Sequence, residues 1–114
     1  MWIAKPIAQL SENEQIQWEK ISERPLSQTL AWARAINAVS GKAYLVFSPE
    51  EKVGGIIFGM PVTSNSNDER IRFECINGPL LNWDNSEMAP RQLATFALAT
   101  SKLEPNFHSL SLRP

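Results

Sequence analysis

Few residues in this sequence carry side chains suited to chemistry, and the densest group is Glu74-Cys75-Ile76-Asn77-Gly78-Pro79-Leu80-Leu81-Asn82-Trp83-Asp84. An alternating run leads into it, Gly78-Pro79 breaks it, and an amphipathic helical pattern begins beyond it. The stretch is therefore a strand-to-helix corner, a place where α/β and α+β proteins put ligands. Cys75 is the one cysteine, so it has no internal disulfide partner. It shares a side of its run with Ile71 and Phe73 and reads as a small buried thiol. No neighbouring base or helix amino terminus is evident to make it a nucleophile. His108 is the only histidine. With no evident carboxylate or serine partner it reads as structural or solvated, not as a general base. No Ser-His-Asp set, carboxylate pair or Cys/His metal cluster can be assembled, and no cofactor is expected.

The chain must position this corner within one domain, because 114 residues is close to the commonest domain size. A hydrophobic content of 43% with 20% charged residues is that of a globular chain with a single core, not of a disordered one. The formal net charge is -1 and the two signs are interspersed, which gives no electrostatic footprint for independent nucleic-acid binding. Nothing approaches the ~20 apolar residues of a membrane span, and the first residues lack the apolar run of a signal peptide. The expectation is a cytoplasmic location.

Residues 2–7 read as a first strand, placed at an edge by Pro6. Ser11 and Glu14 fit a capping box that starts a short helix, with Trp18 and Ile21 on one face and an end at Arg24-Pro25. A second helix begins near Ser27. Its Trp32, Ala35, Ile36 and Val39 have the spacing of a core-facing stripe, and Gly41 suits the left-handed residue beyond its end. Gln28 lies one turn before Trp32, a polar residue on the same face. Residues 43–47 and 53–60 then form an antiparallel hairpin, in which Gly54-Gly55 marks a bulge or the close approach of a neighbour. Residues 64–68 are an exposed loop. In the alternating run 70–75, Ile71, Phe73 and Cys75 are the core set and Arg70, Arg72 and Glu74 the wet set.

Beyond the corner, residues 84–87 carry helix-start chemistry, with Pro90 delaying the regular helix. Leu93, Phe96, Ala97, Thr100 and Leu103 form its stripe. Trp83 reads as a cap on the end of the sheet, with stacking on a sugar or a partner as the alternative. Residues 107–112 alternate as a final strand. The order is β-α-α-β-β-β-α-β, an α/β (α+β) sandwich around a mixed, mostly antiparallel sheet.

With that order in view, the chain resembles the amino-terminal half of a GNAT-type acyltransferase domain. More closely it resembles the first part of the Fem family of peptidoglycan-bridge aminoacyltransferases. The resemblance is carried by Ser27-Gln28 followed by Trp32, by the passage 41–47 into the hairpin, by Asn77-Gly78-Pro79-Leu80-Leu81 before an acidic helix start, and by the closing strand 110–114. It implies an apparently incomplete GNAT-like domain over residues 1–114, related to enzymes that move an amino acid from aminoacyl-tRNA to a cell-wall precursor, and not active alone. The alternative is a noncatalytic GNAT-like module for binding or self-association. The resemblance implies a substrate-binding role for Gln28, Trp32, Asn77, Gly78 and Pro79, with backbone N–H groups of 77–81 near the cleft. An arginine commonly precedes Gly-Pro in these relatives, and Asn77 stands there in this chain. The glycine loop of CoA-dependent members is missing after the strand, so acetyl-CoA is not the expected donor. The last strand would be an open apolar edge, suited to a homodimer or to a partner segment.

Overall fold

A computed structural model of the protein describes residues 1–21, 24–62 and 69–113. It contains strands β1 (Ile3–Pro6), β2 (Ala43–Ser48), β3 (Val53–Val62), β4 (Arg70–Ile76) and β5 (Phe107–Arg113), and helices α1 (Glu12–Glu19), α2 (Leu30–Ser40) and α3 (Met88–Ser101). The strands form one sheet in sequential order, β1-β2-β3-β4-β5. The pairs β1–β2, β2–β3 and β3–β4 are antiparallel, and β5 runs parallel to β4 after the α3 crossover. The domain is thus a mixed α+β fold with a mostly antiparallel sheet, and the predicted element order is the observed one.

Alternation along the strands builds a core on each face of this sheet. Leu45, Phe47, Ile56 and Phe58 face α1 and α2, where they meet Trp18, Leu30 and Ala33. Tyr44, Val46, Ile57, Ile71, Phe73 and Cys75 face α3 and pack around Phe96. Local chemistry at the helix ends matches the sequence. The Ser11 hydroxyl accepts from Glu14 N and the Glu14 carboxylate accepts from Ser11 N, the reciprocal pair of a capping box. Gly41 ends α2 at φ 69, where a side chain would be strained.

Several expectations are corrected. α1 stops at Glu19, before Arg24-Pro25, and α2 starts at Leu30 behind a separate 3-10 turn at Leu26–Gln28, with Thr29 as its cap. The buried positions of α2 are Leu30 and Ala33, whereas Trp32 is 37% exposed and Val39 is 89% exposed. Leu30, Ala31, Trp32, Ala33, Ala35, Ile36, Ala38 and Val39 make this helix apolar on nearly every side, so two stripes satisfy the same period. In α3 the buried positions are Ala89, Gln92, Phe96 and Thr100, while Leu93 and Ala97 are half-buried flanks. Glu74, assigned to the wet face, is buried. The 64–68 loop lies outside the described residues.

Candidate functional site

The corner after β4 is shaped by the way β3 and β4 part company. Their ladder runs from Val62↔Arg70 to Phe58↔Glu74 and stops there. Past that point the gap is filled by a side chain from elsewhere. Gln28, fully buried, sets its carboxamide beside Ile56: Oε1 accepts from Ile56 N at 2.6 Å and Nε2 donates to Ile56 O at 3.3 Å. The same Nε2 donates to Ile76 O at 2.8 Å, so one amide bridges the diverging strands. A carboxamide has the donor and acceptor pair of a peptide unit, which lets it stand in for the missing strand residue.

The turn that carries Gln28 is itself fastened. Trp18 Nε1 donates to Gln28 O at 3.0 Å, and Ser27 Oγ donates to Ile76 O at 3.1 Å. Asn77 Nδ2 donates to Ser27 Oγ at 3.0 Å, and Asn77 N donates to Arg113 O at 2.6 Å. Asn77 sits at φ 56, a left-handed conformation that asparagine tolerates better than most residues. The Gly78–Pro79 peptide is cis.

Beyond Pro79 the chain returns to β3. Leu80 N donates to Gly54 O at 2.7 Å and Gly54 N donates to Leu80 O at 2.8 Å, which closes the far end of the splay. The glycines around this seam are explained by close approach. Gly54, at φ 143, has Phe47 and Val46 where a side chain would go, and a Cβ on Gly55 would lie 3.1 Å from Cys75 Sγ and 3.2 Å from Pro79 Cα. A Cβ on Gly78 would come within 2.9 Å of Gln28 Nε2. Close approach is therefore the correct one of the two readings of Gly54-Gly55.

A shallow cleft of about 290 Å³ opens on the outer side of the corner, lined by Asn77, Gly78, Pro79, Leu80 and Trp83. Trp83 is 56% exposed, and its Nε1 donates to Pro79 O at 3.2 Å, which fixes the indole edge and leaves a face free. On its other side the indole borders a hollow of about 360 Å³ with Ile21, Lys52, Val53, Leu80, Leu81 and Asn82. The loop is held from below by Gln92, whose Oε1 accepts from Asn82 N at 3.1 Å and whose Nε2 donates to Glu51 at 3.2 Å. Asn85 Oδ1 accepts from Glu87 N and Met88 N and so starts α3.

Of the five residues singled out in the sequence, the structure brings Gln28, Asn77, Gly78 and Pro79 together. Trp32 stands apart on α2 and does not line the cleft. Gln28 lies behind the Gly78 backbone and not on the cleft surface. The N–H groups of Asn77 and Leu80 are already engaged by Arg113 and Gly54. Gln92 has no role in the sequence-based expectations, although its place on the 89-92-96-100 face of α3 is visible as a period. Trp83, expected as a cap on the end of the sheet, lines the cleft. Cys75 is fully buried, and burial pushes its thiol up to about 12, against a small opposing effect of Gln28; it is an inert thiol. His108 is exposed, with Nδ1 3.0 Å from Ser109 Oγ. No group of metal-ligating side chains forms among the described residues, and no described helix is long and apolar enough to cross a membrane.

No family model, curated protein or solved structure matches this chain.

Proposed function

We propose that the corner at 77–83 is a substrate-binding element of an aminoacyltransferase-related domain, similar to the amino-terminal half of a GNAT-like domain of the Fem type. The observation that carries this reading is the cleft whose floor is Asn77-Gly78-Pro79 and whose wall is the Trp83 indole. The element order and the mixed sheet support it. In this reading the cleft holds the peptide or sugar of a cell-wall precursor against Trp83, and Gln28 keeps its floor rigid. Aminoacyl-tRNA is the donor, and the chain supplies binding and positioning, with the reacting groups contributed by the rest of an enzyme. The outer edge of β5 is where further strands or a second copy would pair.

A second reading, a binding or self-association module without chemistry, is favoured by one observation. The residues lining the cleft, Asn77, Gly78, Pro79, Leu80 and Trp83, include no acid or base. Two measurements separate these readings. Titration of the protein with a cell-wall precursor peptide should quench Trp83 fluorescence saturably, seen as the signal that Trp83→Phe removes. Incubation with charged tRNA, precursor and labelled amino acid then tests transfer. Quenching with transfer only when the rest of an enzyme is supplied supports the first reading. Quenching without transfer even then favours the module, and no quenching at all overturns the precursor site.

A further inference from the structure

α1 and α2 pack over β2 and β3, and the β4–β5 part of that same face carries Arg72, Glu74, Ser109, Ser111 and Arg113. Alternation puts them there. Ile71, Phe73, Cys75, Leu110 and Leu112 turn to the α3 side, and the residues between them turn away. Arg72 stands opposite Ser109 and Glu74 opposite Ser111 in the parallel ladder.

Three of these side chains form a cluster whose charges do not balance. Arg113 Nη2 donates to Glu74 Oε1 at 3.1 Å, and Arg72 Nη2 forms an ion pair with the same oxygen at 3.1 Å. The Glu74 side chain is 8% exposed, whereas those of Arg72 and Arg113 are 42% and 62% exposed. Two guanidiniums therefore share one carboxylate oxygen, leaving a net positive charge on a face where both arginine side chains stay partly open to solvent. Arg72 Nε is buried and has no hydrogen-bond partner among the described residues. A buried donor without a partner is costly, and a guanidinium offers five N–H groups in a plane that matches the two oxygens of a carboxylate or phosphate.

We infer that the Arg72–Glu74–Arg113 cluster is an oxyanion-binding site on the outer face of β4 and β5. Glu74 holds the two forks in place from below, and a carboxylate or phosphoryl group from solution bridges their open edges, with the hydroxyls of Ser109 and Ser111 flanking the site. The site is independent of the precursor cleft, because it stands on charge and geometry alone.

The test is a titration of labelled protein at constant ionic strength, following the Nε–H resonances of Arg72 and Arg113. One arm uses inorganic phosphate, a second acetate, and chloride serves as the control. The expected result is a saturable shift in the phosphate or acetate arm, the tighter arm identifying the anion. Arg72→Gln and Arg113→Gln should each weaken binding by roughly tenfold or more. Glu74→Gln should strengthen it, because it removes the internal competitor and keeps an acceptor for the forks. Arg113 is exposed enough that its replacement leaves a folded protein even if Arg72→Gln does not. Shifts that stay linear and match chloride, or binding that survives Arg113→Gln and does not rise with Glu74→Gln, would overturn the site.

Discussion

Gln28 and Gln92 are both fully buried, yet they behave as different kinds of part. Every partner of the Gln28 carboxamide belongs to the sheet itself: Ile56 N and O, Ile76 O and the neighbouring Cys75 thiol. Gln92 ties one backbone amide, Asn82 N, to a side chain, Glu51, that also meets Arg91. The first is a rigid insert in a sheet, and the second is a tether on a loop. A buried polar residue thus reveals its role less by its burial than by whether its partners are backbone or side chain.

The comparison can be broken by measurement. Gln28→Ala should be the largest perturbation, at about 4 kcal/mol in urea unfolding, because it strips Ile56 N and Ile56 O of their Gln28 partner, leaves Ile76 O with Ser27 Oγ alone, and opens a cavity. A loss smaller than that of Gln92→Ala would reverse the ranking. Gly78→Ala attacks the same insert from the other side, since its methyl meets Gln28 Nε2 and Cys75 Sγ; it should cost about 2 kcal/mol. Gln92→Ala should cost roughly 1–2 kcal/mol and mainly loosen the 77–87 loop, read as a change at Trp83 in fluorescence.

The smallest effect belongs to Glu51. The hydrogen bond from Gln92 and then that from Arg91 hold its carboxyl below the usual range. Its folded value is depressed, so its contribution to stability is present above the unfolded value of about 4.3 and is lost as pH falls through the folded one. Glu51→Gln should therefore lower stability slightly at neutral pH, leave it nearly unchanged below the folded value, and so flatten part of the acid limb of the stability profile. An unaltered acid limb would mean that the tether does not depend on charge.

How much of this could be read from the sequence differs by element. The β4 alternation, the capping box, Gly41 and the hairpin were legible because each is decided by a period or by residues within one turn. The core face of α2 was not, since a helix apolar all round gives no contrast for a period to show. Glu74 looked wet from its neighbours in the strand, and only the parallel partner β5 brings Arg113 over it. Gln28 stands out in the sequence as a polar residue in an apolar setting, but its three sheet bonds reach residues 28 and 48 positions away. No local pattern encodes that reach. Cys75 and the corner were located correctly, and the cleft beside the corner required the loop to fold back onto Gly54.

The bond between Ile56 N and Gln28 Oε1 has a kinetic consequence. An amide in a strand is ordinarily shielded by its neighbouring strand and exchanges with solvent only when that ladder opens. The Ile56 amide is shielded by a side chain carried on a three-residue turn, so undocking of that turn alone exposes it. In native-state hydrogen exchange its protection would report an opening smaller than global unfolding and separable from that of the β3–β4 ladder. One proton would thus time the release of the seam beneath the cleft.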